Sequence, residues 1–271
     1  MRDYLYLDDN DDAHQTKFKV SDTEGFDYLF NEKRYPEALN KINEMLKTDS
    51  GYENWNLKGK VLDRLSRFDE AVRCYDKSLK INPTTDTLIN KANTLYNWAK
   101  VTFFPEANYR KALELIDMGI NTLPDTEDPS EFYFLKAEIL EGQNNLPESY
   151  KCYLIAYQEH DKLKEFEKQT SYLKSTADTL LNIAGSSYYS YTPKTGDILT
   201  LVKDDENEHD RDAIAVVKDS ETVGYVANND YTLINEVKSA SSIRNSIHDN
   251  QKIEILFTYI GEYVIARLIS G

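Results

Sequence analysis

Residues 55–83, WNLKGKVLDRLSRFDEAVRCYDKSLKINP, decide the fold of the first half of the chain. Their apolar residues recur at the spacing of a helix, which predicts two helices in succession. Gly59 in the first helix and Ala71 in the second are small, so the two helices can approach each other closely. Pro83 cannot continue a helix and ends the unit. The stretch therefore predicts a compact helical hairpin.

The same arrangement returns along the chain. Small residues at positions 38, 71, 112 and 149 are separated by 33, 41 and 37 residues, and each follows a bulky residue by three positions. The sequence pattern of residues 55–83 resembles the tetratricopeptide repeat (TPR), W-x2-L-G-x2-Y…A-x3-F…P, with Lys58 in place of the first leucine. This resemblance implies an α-solenoid of about four repeats over residues 21–158.

Three segments depart from a uniform array of repeats. The spacing of 41 residues indicates an insertion in the third repeat, which carries Trp98, Phe103 and Phe104. These aromatic residues either pack within an extended helix pair or form a hydrophobic contact patch. Residues 1–20 form a polar acidic leader, and residues 159–183 predict a helix that caps the last repeat.

Residues 184–271 have a different pattern, with short β-branched runs between turn residues. This pattern predicts a small β-barrel, with a short helix near residues 231–238. The predicted strands are residues 198–202, 213–217, 223–226, 253–260 and 263–269. The fold class is therefore α+β multidomain, an α-solenoid followed by a β-barrel.

Four segments of this region resemble the HIRAN domain family. In order they read AGSSYY (184–189), TGDILTLV (195–202), NEHDRDAIAV (207–216) and VGYV (223–226). The resemblance implies a modified OB-like barrel. In some members of the family, which remodel DNA forks, this domain grips the 3′ end of single-stranded DNA.

The resemblance also assigns roles to individual residues. Tyr188 matches a tyrosine that supports the terminal bases, and Asp210 matches an aspartate that contacts the terminal hydroxyl. Tyr189, Asn207 and His209 complete the candidate site. Alternatively, Asn207 and Asp210 bond the backbone amides of their own loop. The acidic run between residues 204 and 212 is interpreted as solvated charge rather than as a metal site.

The chain departs from the DNA-binding members in its charge. Ser187 stands where those members have arginine, and His209 stands where they have a second stacking tyrosine. Residues 184–271 contain 8 Lys plus Arg and 14 Asp plus Glu, a net charge of 8 − 14 = −6. Each missing cation removes a contact with a phosphate.

A second candidate site follows from the repeats. The concave face of a solenoid is lined by the first helix of each repeat. Polar side chains on that face predict a groove that binds an extended or helical segment of a protein partner, although they are also compatible with solvated surface. The predicted groove residues are Asn56, Lys60, Arg64, Asn90, Asn93 and Asn97.

Several function classes are excluded by composition. No two glycines lie closer than eight positions apart, so GxGxxG, P-loop and GxSxG motifs are absent. The four histidines form no HExxH motif, and the two cysteines, Cys74 and Cys152, are too few for a four-cysteine zinc site. No apolar run approaches the ~20 residues of a membrane helix. We therefore expect a cytoplasmic protein with no catalytic residues, metal, cofactor or membrane contact.

The sequence is compatible with two functions. The first is a non-catalytic adaptor, in which the repeats bind a protein partner and the HIRAN-like domain recognises a single-stranded DNA end. The alternative is a pure protein–protein interaction scaffold whose HIRAN-like domain has lost DNA binding. The net charge of −15 favours the scaffold, because acidic proteins repel phosphate backbones.

Overall fold

A computed structural model of the chain describes residues 24–104, 107–229, 234–248 and 250–269. The chain divides into two compact units, Met1–Gln158 and Glu159–Gly271. The predicted leader, residues 1–20, lies outside the described residues.

Helices make up the described part of the first unit, and successive helices pair as hairpins. Apolar residues of one helix pack against those of the next, as Phe26 of the first hairpin does with Ala38 and Ile42. The four hairpins confirm the predicted α-solenoid. The helices are α1 (24–31), α2 (Tyr35–Thr48), α3 (Tyr52–Arg64), α4 (Phe68–Ile81), α5 (Thr85–Phe103), α6 (Tyr109–Thr122), α7 (Ser130–Gly142) and α8 (Leu146–Ala156).

The small residues of the repeat lie where two helices touch. Ala71 has no exposed surface, and a Cβ atom at Gly59 would lie 2.5 Å from the ring of Tyr75. In the last hairpin Ser149 takes the place of alanine, and its hydroxyl donates a hydrogen bond to the carbonyl of Ala137 at 2.9 Å. The hydroxyl is thereby buried without an unpaired donor.

The insertion in the third repeat lengthens one helix. α5 has 19 residues, compared with 13 in α3, and this length accounts for six of the eight additional residues in the wider spacing. Trp98 stacks on Phe68 with 6.4 Å between ring centroids, and Phe103 packs on Tyr109 at 5.8 Å. Phe104 keeps 53% of its surface exposed. The first two aromatic residues therefore stabilise the array, whereas Phe104 contributes to its surface.

The second unit contains a closed antiparallel barrel in the order β1-β4-β3-β2-β5-β6. Its core consists of alternate strand residues such as Leu199, Leu201 and Ile253, together with Ile243 from the short helix α10. The predicted barrel is confirmed. Its elements are β1 (Leu180–Ala184), β2 (Ile198–Lys203), β3 (Ile214–Lys218), β4 (Glu221–Val226), α10 (Ala240–Ile243), β5 (Lys252–Tyr259) and β6 (Tyr263–Leu268).

Two boundaries differ from the prediction. Residues 180–183, placed in the linker helix by the sequence, form most of β1 and are buried in succession. A short apolar run buried on both faces has no period that separates strand from helix. The helix predicted at residues 231–238 is found at Ala240–Ile243 instead; residues 234–238 form turns and one bridge, and residues 231–233 lie outside the described ranges.

Helix α9 (His160–Ser175) belongs to the second unit. Phe166 stacks on Tyr259 of β5 with 5.5 Å between centroids, and Tyr172 packs edge-on against Phe257 at 6.1 Å. Thr170 also shares a hydrogen bond with the Tyr259 hydroxyl at 2.9 Å. The sequence predicted a cap on the last repeat, whereas these aromatic contacts make the helix a part of the barrel unit.

Candidate functional site

A polar cavity of about 220 Å³ lies in the first unit. Five of the six predicted groove residues line it, and the sixth, Asn56, is bonded to one of the five. The repeat therefore brings together predicted side chains that lie up to 41 positions apart in the sequence. The lining residues are Phe30, Lys60, Asp63, Arg64, Tyr75, Asn90, Asn93, Thr94 and Asn97.

Hydrogen bonds between α3 and α5 hold the cavity wall in place. The Asn90 side-chain amide donates to the Asn56 carbonyl oxygen at 3.1 Å. The Asn97 amide donates to an Asp63 carboxylate oxygen at 3.2 Å. Both pairs join the first helices of adjacent repeats, at positions 34 residues apart. These bonds orient the wall before any ligand arrives, so less side-chain freedom is lost on binding.

Charge in the cavity comes from three residues. The Lys60 ammonium lies 5.6 Å from the centroid of the Phe30 ring, and the Arg64 guanidinium lies 3.9 Å from the Asp63 carboxylate. Two positive charges thus face one negative charge. Burial raises the pKa of the Tyr75 phenol, so this residue contributes a neutral hydroxyl to the wall.

A second candidate site begins directly after β1. Gly185 adopts φ +77°, a left-handed conformation that glycine allows without strain, and starts a short 3-10 helix, Ser186–Tyr189. This turn leaves the Tyr188 ring 90% exposed. Tyr189 is 43% exposed, and its ring lies 6.2 Å from the ring of Tyr225 on β4.

A close approach of β4 to β1 fixes this arrangement. A Cβ atom at Gly224 would lie 2.9 Å from the carbonyl oxygen of Ala184 and 3.0 Å from the Ile183 side chain. Because glycine has no Cβ, the next residue, Tyr225, can sit beside the 3-10 helix. In the VGYV segment, Gly224 therefore allows the close approach of the two strands, and Tyr225 lies beside the 3-10 helix as a result.

The acidic loop between β2 and β3 is hydrogen-bonded to β4. The Tyr225 hydroxyl donates to Asp204 at 2.9 Å, and the Asn207 amide donates to the same carboxylate oxygen at 3.1 Å. The bond from Asn207 and then the bond from Tyr225 lower the pKa of the Asp204 carboxyl. Partial burial, followed by the bond to Asp204, raises the pKa of Tyr225 to about 12. Asp204 is thus a fixed negative charge.

Asn207 and Asp210 shape the rest of this loop. The Asn207 side-chain oxygen accepts bonds from the backbone amides of His209 and Asp210, both at 3.0 Å. The Asp210 carboxylate accepts from the Asn228 side-chain amide at 2.9 Å and from the Asp212 backbone amide at 2.9 Å. Asn207 and Asp210 therefore both bond backbone amides of their own loop, as in the alternative interpretation, and Asp210 is also bonded to Asn228.

The structure joins the predicted residues through neighbours that the sequence analysis did not assign to the site. Tyr225, Asp204 and Asn228 link Tyr189, Asn207 and Asp210 to β4 and to the turn after it. Tyr188 and His209, the chain neighbours of Tyr189 and Asp210, are exposed. Arg244 pairs with Asp205 and thereby offsets one of the loop's negative charges. Within the described ranges no three His, Cys, Asp or Glu side chains are placed to hold a metal ion.

Comparison with protein families assigns both units. A family model of the tetratricopeptide repeat matches residues 52–85, and one of the HIRAN domain matches residues 178–254. The chain carries a tetratricopeptide repeat and a HIRAN domain. The repeat suggests protein interaction, and the HIRAN domain suggests nucleic-acid binding. In this chain the barrel of the HIRAN domain closes through β6, which lies beyond the matched segment.

Solved structures similar to the chain include two of MamA. "Crystal structure of MamA protein" is 15% identical, with a TM-score of 0.37, and the match covers 52% of this chain and 73% of that chain. "Crystal structure of MamA" is also 15% identical, with a TM-score of 0.38, and the match covers 59% of this chain and 99% of that chain. None of the curated proteins compared with the chain is significantly similar to it in sequence. Over the described residues, every helix is too short or too polar to cross a membrane.

Proposed function

We propose that the protein is a non-catalytic adaptor. The TPR array binds a segment of a protein partner in its polar cavity, and the HIRAN domain binds the 3′ end of single-stranded DNA. One observation carries the second half of this proposal: the Tyr188 ring is 90% exposed on the 3-10 helix whose Tyr189 ring lies 6.2 Å from that of Tyr225, and Tyr225 bonds Asp204 in the loop that contains Asp210.

The chemistry of the two side chains suits a nucleic-acid end. An aromatic face stacks on any base and contributes about 1–3 kcal/mol per base. A carboxylate accepts a hydrogen bond from a free hydroxyl and repels a phosphate, so Asp210 distinguishes a 3′-hydroxyl from a 3′-phosphate. Because its present partners are one side-chain amide and one backbone amide, the carboxylate retains lone pairs for a further donor.

The charge of the HIRAN domain supports the second candidate, a protein–protein scaffold without DNA binding. The domain's net charge of −6 and the serine at position 187 leave few cations for phosphates. A protein with few phosphate contacts binds DNA weakly, and its affinity depends little on salt. In the adaptor, base stacking and recognition of the 3′ end must therefore supply most of the binding free energy, because the electrostatic attraction to phosphates is small.

No catalytic step is part of the proposal. His209 and Asp210 are adjacent, but Asp210 bonds Asn228 and the loop backbone, and the loop amides bond Asn207. These contacts support a binding role for the loop rather than general base catalysis. The cytoplasmic location stays a prediction.

The experiment that tests end binding is a titration at ~50 mM salt, where electrostatic contacts are least screened. A fluorescent ten-nucleotide single strand with a 3′-hydroxyl is expected to bind at least about tenfold more tightly than the same strand with a 3′-phosphate, a difference near 1.4 kcal/mol. Tyr188→Ala is expected to weaken binding of the hydroxyl strand by about fivefold or more, because one stacked base is lost.

Matched variants make the result specific. Tyr28→Ala removes another exposed tyrosine, from the first unit, and should leave the affinity unchanged. Ser187→Arg restores the cation of DNA-binding relatives and should tighten binding. Equal affinity for the two strands would refute end recognition, and an absence of binding to either would favour the scaffold.

A further inference from the structure

The TPR cavity differs in charge from the protein that surrounds it. Lys60 and Arg64 give it two positive charges against one negative charge from Asp63, whereas the whole chain carries −15. Three asparagine side chains also line the cavity, and each has an amide oxygen that can accept a bond, although the amides of Asn90 and Asn97 already donate to Asn56 and Asp63. Such amides can pair with the backbone of an extended segment, while the cations attract carboxylates. The cavity therefore suits an extended acidic segment.

A segment of this chemistry is present in the chain itself. Residues 3–12, DYLYLDDNDD, contain five aspartates and no lysine or arginine. The apolar run at residues 4–7 precedes four of these aspartates, so the segment combines apolar side chains with a concentrated negative charge. Phe30 and the two cations offer the matching surfaces in the cavity wall.

The position of this segment in the chain allows it to reach the cavity. Phe30 belongs to α1, six residues after the first described residue, Glu24, which is about 9 Å along a helix. Asp12 precedes Glu24 by twelve residues, and an extended chain of that length spans up to about 40 Å. The segment is thus joined to the helix that forms one side of the cavity, with ample length to return to it.

We propose that residues 3–12 occupy the TPR cavity of their own chain and compete there with the acidic segment of a partner. This proposal rests on the proposed function, since it names the chemistry that the TPR cavity binds. A tethered competitor acts at an effective concentration of about 1 mM. A contact with a Kd of only ~0.1 mM would then weaken the binding of an external ligand roughly tenfold.

The test uses a fluorescent peptide of residues 3–12, acetylated and amidated so that its termini carry no charge, and full-length protein. The first variant neutralises the leader by Asp8→Asn, Asp9→Asn, Asp11→Asn and Asp12→Asn. We expect the peptide to bind this variant about tenfold more tightly than the unmodified protein. Adding Lys60→Gln and Arg64→Gln to the variant should remove at least that gain.

A charge-matched control separates local competition from net charge. Glu206→Gln, Glu208→Gln, Glu221→Gln and Glu262→Gln neutralise four exposed acids of the second unit and should leave peptide affinity unchanged. An equal gain in this control, or equal affinity of the unmodified and leader-neutralised proteins, would overturn the proposal. So would a gain that persists with Lys60 and Arg64 replaced, because the leader would then bind elsewhere.

Two results separate an unoccupied cavity from a cavity that does not bind acidic segments at all. If both proteins bind the peptide equally and through Lys60 and Arg64, the cavity is an acidic-segment site that its own leader does not occupy. If no protein binds the peptide, the cavity's preference for acidic segments is itself wrong. A gain that disappears on tenfold dilution of the protein would assign the leader to a second copy and overturn the intramolecular contact.

Discussion

Phe166→Ala is expected to lower the free energy of unfolding of the second unit by about 3–5 kcal/mol. The Phe166 ring is 5% exposed and stacks on Tyr259 with an interplanar angle of 13°. Its removal leaves a cavity between α9 and β5 and also loosens the neighbouring bond between Thr170 and Tyr259. A loss of this size is a large part of the stability of an ordinary domain.

Hydrogen exchange measured by mass spectrometry follows the two units separately. Peptides from β5 and β6 should lose protection in Phe166→Ala, while peptides from α3 and α4 should keep theirs. Lys164→Ala, an exposed position two residues away, serves as the control and should change neither set. Unchanged protection of β5 and β6 in Phe166→Ala would show that the HIRAN domain does not need α9.

Gly59→Val is expected to destabilise the TPR array by about 3 kcal/mol, the upper part of the usual range for overpacking. The new Cβ would lie 2.5 to 2.8 Å from three atoms of the Tyr75 ring. That ring is 1% exposed and packed between the helices, and any displacement of it would push into the cavity that it lines. The helices α3 and α4 must therefore separate, and the cavity that α3 and Tyr75 line should deform with them.

Urea unfolding followed by the fluorescence of Trp55 and Trp98, both in the first unit, measures this loss. Gly25→Val is the matched control, because a Cβ at Gly25 meets only the Lys41 side chain at 3.7 Å. We expect that variant to stay within about 0.5 kcal/mol of the unmodified protein. Equal midpoints for the two variants would contradict close packing at Gly59.

The fold of the repeats could be predicted because a single signal recurred. Ala38, Ala71 and Ala112 each occupy the contact between paired helices, and a small residue at that point has few alternatives. The barrel was predictable for the related reason that alternation and turn residues mark its strands. The segment from 160 to 183 was not, since Leu180–Ala184 lacks a period and the partner of Phe166 lies more than ninety residues further along the chain.

The candidate sites were predictable to different degrees. Repeat spacing placed Asn56 and Asn90 on the same face of the array, whereas the hydrogen bond between them becomes visible only in the structure. The HIRAN site depends on contacts between loops that are distant in sequence. Asp204 was one acid among several, and the bonds from Asn207 and Tyr225 distinguish it. Asn228 shows no pattern, and its role becomes visible only where the turn after β4 meets Asp210.

The most direct test of DNA-end recognition is amide chemical-shift mapping on the full-length, deuterated protein. A ten-nucleotide single strand with a free 3′-hydroxyl is added at ~50 mM salt. Shifts are expected at residues 185–190, 204–212 and 225–229, and the amides of α3 and α5 should remain unchanged. Shifts confined to the helical repeats, or no shift around Tyr188 and Asp210 at saturating strand, would contradict the proposed role of the HIRAN domain.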